Sequence, residues 1–232
     1  MGKYNNNQLY GQLELVVSSF IMFFQISTLF NVLQSYNGTA FVIILWALII
    51  AYIVTDFVNG VAHMYMDNNT SYSSVVGPYI ASFHLHHLKP KLTNRHSFSI
   101  YFYESGTKFW LLVYLLILAV IQKVCSLNYA FNVGLVALGI FSSAAEVSHY
   151  WCHHATRKNI IVLRLQQCGL LLSKKHHTFH HRFDNMHYAF LNGMTDPLLN
   201  LISRYCYKGY KHNADKHTAA YYKLKIAIEC AG

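Results

Sequence analysis

Residues 41–54 read Phe-Val-Ile-Ile-Leu-Trp-Ala-Leu-Ile-Ile-Ala-Tyr-Ile-Val, an uncharged run without Gly or Pro inside the longer apolar segment Ala40–Val61. About 20 apolar residues at ~1.5 Å each cross the hydrocarbon of a bilayer, so Ala40–Val61 is predicted to be a transmembrane helix. Its far end turns polar in a regular way. Asp56, Asn59, His63 and Asp67 follow one another at intervals of three, four and four residues, which puts all four on one helical face. Ionisable groups at the end of a span usually serve function.

Working outward, Leu13–Leu33 is a second run of spanning length, interrupted by Gln25 and Asn31 and carrying Glu14 near its start. Phe109–Ile121 is shorter and reaches spanning length by continuing through Lys123, whose stem can snorkel. Tyr129–Val147 makes a fourth, and its short link to the third predicts an antiparallel hairpin. The composition agrees: 54% hydrophobic and 12% charged residues describe a membrane protein better than a soluble one. The expected fold is all-α, about four transmembrane helices capped by a histidine-rich segment. No internal repeat or linker divides it, so residues 1–232 are read as one domain.

The formal charge of +9 could point to nucleic acid, but beside these apolar runs it indicates basic loops facing anionic headgroups. Twelve of the eighteen basic residues follow Ala155, and four more (Lys89, Lys91, Arg95, Lys108) lie in the second loop. The positive-inside rule therefore places that loop, the C-terminal segment and the N-terminus in the cytoplasm. The opening Met-Gly-Lys-Tyr-Asn-Asn-Asn-Gln lacks the layout of a cleaved signal, and Asn6 stands where myristoylation wants Ser or Thr. The N-terminus is expected to be retained. The sequon Asn37-Gly38-Thr39 lies too close to two spans to be used. Five cysteines without a CxxC are expected to be reduced packing residues.

No histidine precedes His63, and thirteen fall into four clusters on the expected cytoplasmic side. The densest is Lys174-Lys175-His176-His177-Thr178-Phe179-His180-His181. On a helix its four imidazoles span an arc of roughly 140°, so all could face one point. His187 lies just beyond this stretch, and the others are His63 with its acidic neighbours, His84-Leu85-His86-His87 followed by Arg95-His96, and Glu146, His149 and His153 spaced three and four apart, with His154 adjoining. So many imidazoles exceed the three or four protein ligands of one zinc, and two metals fit better. Imidazole suits iron, zinc or copper by ligand type. Position favours iron, because a histidine cage at the membrane boundary lies where a lipid chain could enter, and unactivated C–H bonds require metal–oxygen chemistry. Haem would leave the paired histidines unexplained.

These residues resemble the Kua-type membrane lipid desaturases, a family that includes plasmanylethanolamine desaturase and the plastid desaturase of phosphatidylglycerol. The likeness runs through Asp56-Phe57-Val58-Asn59-Gly60-Val61-Ala62-His63, His86-His87-Leu88-Lys89-Pro90, Arg95-His96, His149-Tyr150-Trp151-Cys152-His153 and Lys175 to His181, and is strongest over residues 56–199. It departs at Ser97, at Tyr103-Glu104-Ser105-Gly106, at Glu146 and in Tyr188–Gly193. The resemblance implies a di-iron oxidoreductase that uses O2 and two electrons to place a double bond in a phospholipid-borne chain. The expected iron ligands are His63, His86, His87, His96, His149, His153, His176, His177, His180 and His181. Asp56, Asn59, Asp67, Glu146, His84 and His187 are expected to support them from behind. Without a flavin, haem or iron–sulfur motif in the chain, electrons are expected from a cytochrome b5-type carrier or a ferredoxin. The membrane is expected to be the endoplasmic reticulum in a eukaryote or the inner membrane in a bacterium. A lipid hydroxylase or a metal transporter or sensor are the alternatives; a transporter predicts polar residues in mid-span, whereas here they gather at one side.

Overall fold

The computed structural model describes residues 8–74, 76–88, 97–103, 108–183 and 186–206, and among these it is helical without a strand. In chain order the helices are α1 (Gln8–Gln34), α2 (Phe41–Asp67), α3 (Gly77–Leu88), α4 (Ser97–Tyr103), α5 (Phe109–Val124), α6 (Tyr129–His154), α7 (Ile160–Gln167), α8 (Lys174–Arg182) and α9 (Asp196–Cys206). Three are long and apolar enough to cross a bilayer: Gly11–Gln34 within α1, then α2 and α6. The expected third span, α5, is a helix of 16 residues, about 24 Å long.

Despite its length α5 runs antiparallel along α6, as the short link predicts. Gln122 donates to Asn132 at 2.8 Å near the link, Tyr114 donates to the Leu135 carbonyl at 2.8 Å, and Lys108, just before α5, comes within electrostatic reach of Glu146. The polar residues that interrupt the first span point inward. Gln25 donates to the Gly139 carbonyl at 2.9 Å and to Ser143 Oγ at 2.7 Å, and Asn31 donates to Gln122 at 3.2 Å. In hydrocarbon such groups need protein partners, and pairing them fixes α1 against α5 and α6. Between the helices Ile21, Leu111, Leu115 and Leu118 are buried, while Phe23, Ile26, Phe30, Phe41, Trp46, Ile50 and Ile117 are exposed. That outward apolar belt is what a lipid-facing bundle requires.

The polar end of the bundle is where α2 and α6 finish. α2 continues six residues past Val61, and Asn68 closes it by donating its side-chain amide to the Met64 carbonyl at 2.8 Å. Gly60 permits the close approach of α9: a Cβ there would stand 2.3 Å from Leu199 Cδ1. The segment 186–195 then lies across the ends of α2 and α6, and Asp56 holds it. The Asp56 carboxylate accepts the backbone N–H groups of Leu191, Asn192, Gly193 and Thr195 at 2.9–3.3 Å and the Thr195 hydroxyl at 2.7 Å.

Candidate metal centre

Ser173 caps α8 by accepting the His176 N–H at 3.1 Å, which fixes the register of the histidines that follow. Those four do not converge on one point. His177 and His181, four residues apart, join His86 from α3 and His149 and His153 from α6, so that five imidazoles offer nitrogens within 4.8 Å of one another. His180 turns to a second cluster with His63 and Asp67 from α2 and His87 from α3. His176 belongs to neither and lies against Asp196 and His187. A 140° arc is wide enough to serve three neighbours, and the adjoining elements sort the residues.

In the five-imidazole cluster His177 Nε2 stands 3.0 Å from His149 Nε2, 2.9 Å from His153 Nε2 and 2.9 Å from His181 Nε2, and His153 Nε2 is 3.0 Å from His86 Nε2. A ring nitrogen carries one proton or one lone pair, so three such contacts around His177 Nε2 cannot all be hydrogen bonds. They match the spacing of neighbouring ligands on a six-coordinate metal with bonds of about 2.1 Å, which is about 3.0 Å.

The second cluster is centred on a carboxylate. Asp67 Oδ2 lies 3.0 Å from His63 Nε2, 3.3 Å from His180 Nε2 and 3.4 Å from His87 Nε2, and His180 Nε2 is 3.0 Å from His87 Nε2. His63 donates its Nδ1–H to the Tyr188 carbonyl at 2.8 Å, and His180 donates its own to the Met186 carbonyl at 2.7 Å. With the rings neutral, both Nε2 atoms then carry lone pairs aimed at the carboxylate, and neither carboxylate oxygen of the buried Asp67 receives a hydrogen bond. Acceptors converging on an anion need a cation between them, and the donor set fits a metal. The clusters adjoin, with the His87 and His181 rings 4.8 Å apart. Burial, reinforced by the neighbouring imidazoles, lowers the pKa values of His86, His177 and His181 well below the usual range and that of His180 to about 4. Neutral imidazole is the ligating form.

Asp67, expected behind the ligands, thus presents its oxygen among them. His84 stands apart: Tyr72 donates its hydroxyl to His84 Nδ1 at 2.6 Å, while Nε2–H faces the Met66 and Asp67 carbonyls at 3.2 and 3.1 Å. Asn59 bridges α2 to α6 through Ser142 at 3.2 Å, and Asp56 organises the 191–195 backbone. Glu146 faces Lys108 and Glu14, although its spacing from His149 and His153 put it on their side. His96 lies outside the described residues. Two participants went unread in the sequence. Asp196 sits at no helical interval from a histidine it meets. Phe190 stacks on His149 with centroids 4.3 Å apart and lies 4.2 Å from the His63 ring, forming with Phe83 an apolar wall beside both clusters.

Among known proteins, the chain is similar to chloroplastic fatty acid desaturase 4 of Arabidopsis thaliana, 29% identical over 158 residues that cover 64% of this chain and 45% of that one. It is likewise similar to chloroplastic fatty acid desaturase 4-like 2 of the same plant, 31% identical over 156 residues covering 64% of this chain and 52% of that one. The chain spans about half the length of these curated relatives. No solved structure matches it. Residues 52–207, which run from the middle of α2 to the end of α9 and carry both imidazole clusters, match the lipid desaturase domain family, and the chain belongs to that family.

Proposed function

We propose that the chain is a di-iron lipid desaturase that introduces a double bond near the headgroup end of an alkyl or acyl chain of an intact phospholipid. Two hydrogens leave neighbouring carbons, and with two protons from the medium and two further electrons from a separate carrier, a cytochrome b5-type protein or a ferredoxin, O2 is reduced to two waters. The observation that carries this reading is the pair of adjoining clusters, five imidazoles beside three imidazoles and Asp67, at the ends of membrane-spanning helices in a lipid desaturase domain. Bound iron supplies the oxygen activation that unactivated C–H bonds require.

His86, His149, His153, His177 and His181 would hold one iron, and His63, Asp67, His87 and His180 the other. The Tyr188 and Met186 carbonyls fix two of these rings in the ligating tautomer. Phe83 and Phe190 keep water from the chain side of the site. Depth supports oxidation beside the headgroup: His63 lies about 33 Å along α2 from Phe41, close to the thickness of the hydrocarbon. Basic-residue asymmetry supports a multi-pass protein with the site on the cytoplasmic side, in the endoplasmic reticulum of a eukaryote or the inner membrane of a bacterium. Both named relatives are fatty acid desaturases, which favours an acyl chain; the motif resemblance to plasmanylethanolamine desaturase keeps an ether-linked chain as the other form of the same reaction.

Lipid profiling of a host expressing the wild type or His177→Ala tests the proposal. The wild type should add unsaturation within the first few carbons of a phospholipid chain, read as acid-released aldehyde for a vinyl ether or as an acyl double bond near the carboxyl end. The variant should add none. A change confined to mid-chain double bonds would overturn the headgroup-proximal placement, and hydroxylated lipid without alkene would move the reaction to hydroxylation.

A further inference from the structure

We propose that His176, His187 and Asp196 form a third, mononuclear site for a divalent cation, zinc by its donor set, distinct from the two clusters above. The three residues come from the first turn of α8, the segment after it and the first residue of α9, and their ligand atoms lie within 4.8 Å of one another. His176 Nε2 contacts Asp196 Oδ2, and His187 Nδ1 stands 3.7 Å from the same oxygen. The two rings meet edge to face at 4.3 Å.

A single His–Asp hydrogen bond does not account for this arrangement. Asp196 is buried, and its Oδ1 already accepts the Ala189 N–H at 2.9 Å, so Oδ2 alone faces both imidazoles. His187 Nδ1 is buried without a hydrogen bond although it points at that oxygen. His187 also holds a left-handed backbone, φ 61°, the one non-glycine residue to do so among those described. Such a conformation costs about 1–2 kcal/mol, and Asn200 secures it by accepting the His187 N–H at 2.8 Å. Strain is thus spent on aiming this ring at the carboxylate. On the remaining side Gly193, φ 85°, leaves the space open, since a Cβ there would stand 3.0 Å from His176 Nε2. Two imidazoles and a carboxylate are a zinc donor set, with water completing the coordination.

A cation here would tie α8 to the segment whose Met186 and Tyr188 carbonyls orient His180 and His63. That role rests on the di-iron reading, whereas the existence of the site does not. The full chain, purified in detergent and equilibrated with zinc, is analysed for zinc and iron in the same sample. The expected result is about one zinc per chain that is lost in His187→Ala and in Asp196→Asn but kept in His177→Ala. X-ray absorption at the zinc edge should show imidazole scattering in the wild type that disappears in His187→Ala. No zinc in the wild type, or zinc that His187→Ala does not displace, overturns the proposal. His187 is partly exposed, so its variant carries the test if Asp196→Asn fails to fold. The iron count separates failure of this site from failure of the di-iron reading.

Discussion

His63 donates its Nδ1–H to the main-chain carbonyl of Tyr188 across 2.8 Å. A residue near the end of α2 is thereby oriented by one far along the chain, and its Nε2 is turned to Asp67 at 3.0 Å. Since a main-chain carbonyl sets the tautomer, the placement of the 186–195 segment controls the second cluster.

Iron content should follow the two clusters separately. The purified wild type is expected to hold about two irons per chain, with His180→Ala and His177→Ala each losing about one from a different cluster and the double variant retaining almost none. Elemental analysis gives the count. Equal loss of both irons from either single variant would show that neither cluster holds metal alone.

Asp56 should act through the backbone it holds. Asp56→Ala leaves the buried Leu191 N–H and the partly buried N–H groups of Asn192, Gly193 and Thr195 without their acceptor, at up to about 1–3 kcal/mol for each one not rescued by water. The expected outcome is a lowered unfolding temperature in detergent together with loss of iron from the His63 cluster. Asp56→Asn, which keeps one oxygen, should fall between. Unchanged stability in Asp56→Ala would contradict the hydrogen-bond arrangement.

Acid should destabilise the metal-free protein. Burial holds His180 at about 4 and lowers His86, His177 and His181 as well, whereas unfolded imidazoles titrate near about 6.5. As pH falls through that window the unfolded state binds more protons, so the stability present above about pH 6.5 is lost on the way to pH 4. Asp196 is lowered too, to about 2, because burial, which raises a carboxyl, is outweighed by the neighbouring His176 and His187 imidazoles and the Ala189 N–H; its contribution is lost only below about pH 4 and is constant across this range. Thermal melts of chelator-stripped protein between about pH 7 and pH 5 should show a steady fall; a flat profile would mean that these rings are not buried neutral.

Two native thiols report the topology. Cys125 is exposed in the link between α5 and α6, and Cys168 is exposed after α7, on the side of the clusters. In sealed vesicles an impermeant maleimide should modify Cys168 from the cytoplasmic face and Cys125 only from the opposite face, as peptide mapping would show. Labelling of both from one face would break the hairpin crossing of α5 and α6.

Much of this architecture was legible because it is local. The run at 41–54 announces α2, and the i,i+4 pairs His149/His153 and His177/His181 each land in one cluster because a helix aligns them whatever lies opposite. The rest depends on distant partners. His176 and His84 carry the same local signature as their neighbours, yet Asp196 takes one and Tyr72 the other. Glu146 has the spacing of a residue beside His149, but Lys108 arrives from the preceding hairpin arm. The helix α5 has the length that Phe109 through Lys123 predicts, and at 16 residues it is shorter than the three helices long and apolar enough to cross a bilayer.

The donors of the two clusters extend from residue 63 to residue 181, and the carbonyls that orient them extend to residue 188. During synthesis, α1, α2, α5 and α6 all emerge before the first residue of α8. Neither cluster has its full donor set until α8 has followed them, and the His63 ring is not oriented until Tyr188 arrives. On the di-iron reading, loading of metal would therefore be a late event in the life of each molecule, completed only once α8 and Tyr188 have joined helices made before them, and the helical bundle without metal would be the species that the insertion and quality-control machinery of the cell encounters first.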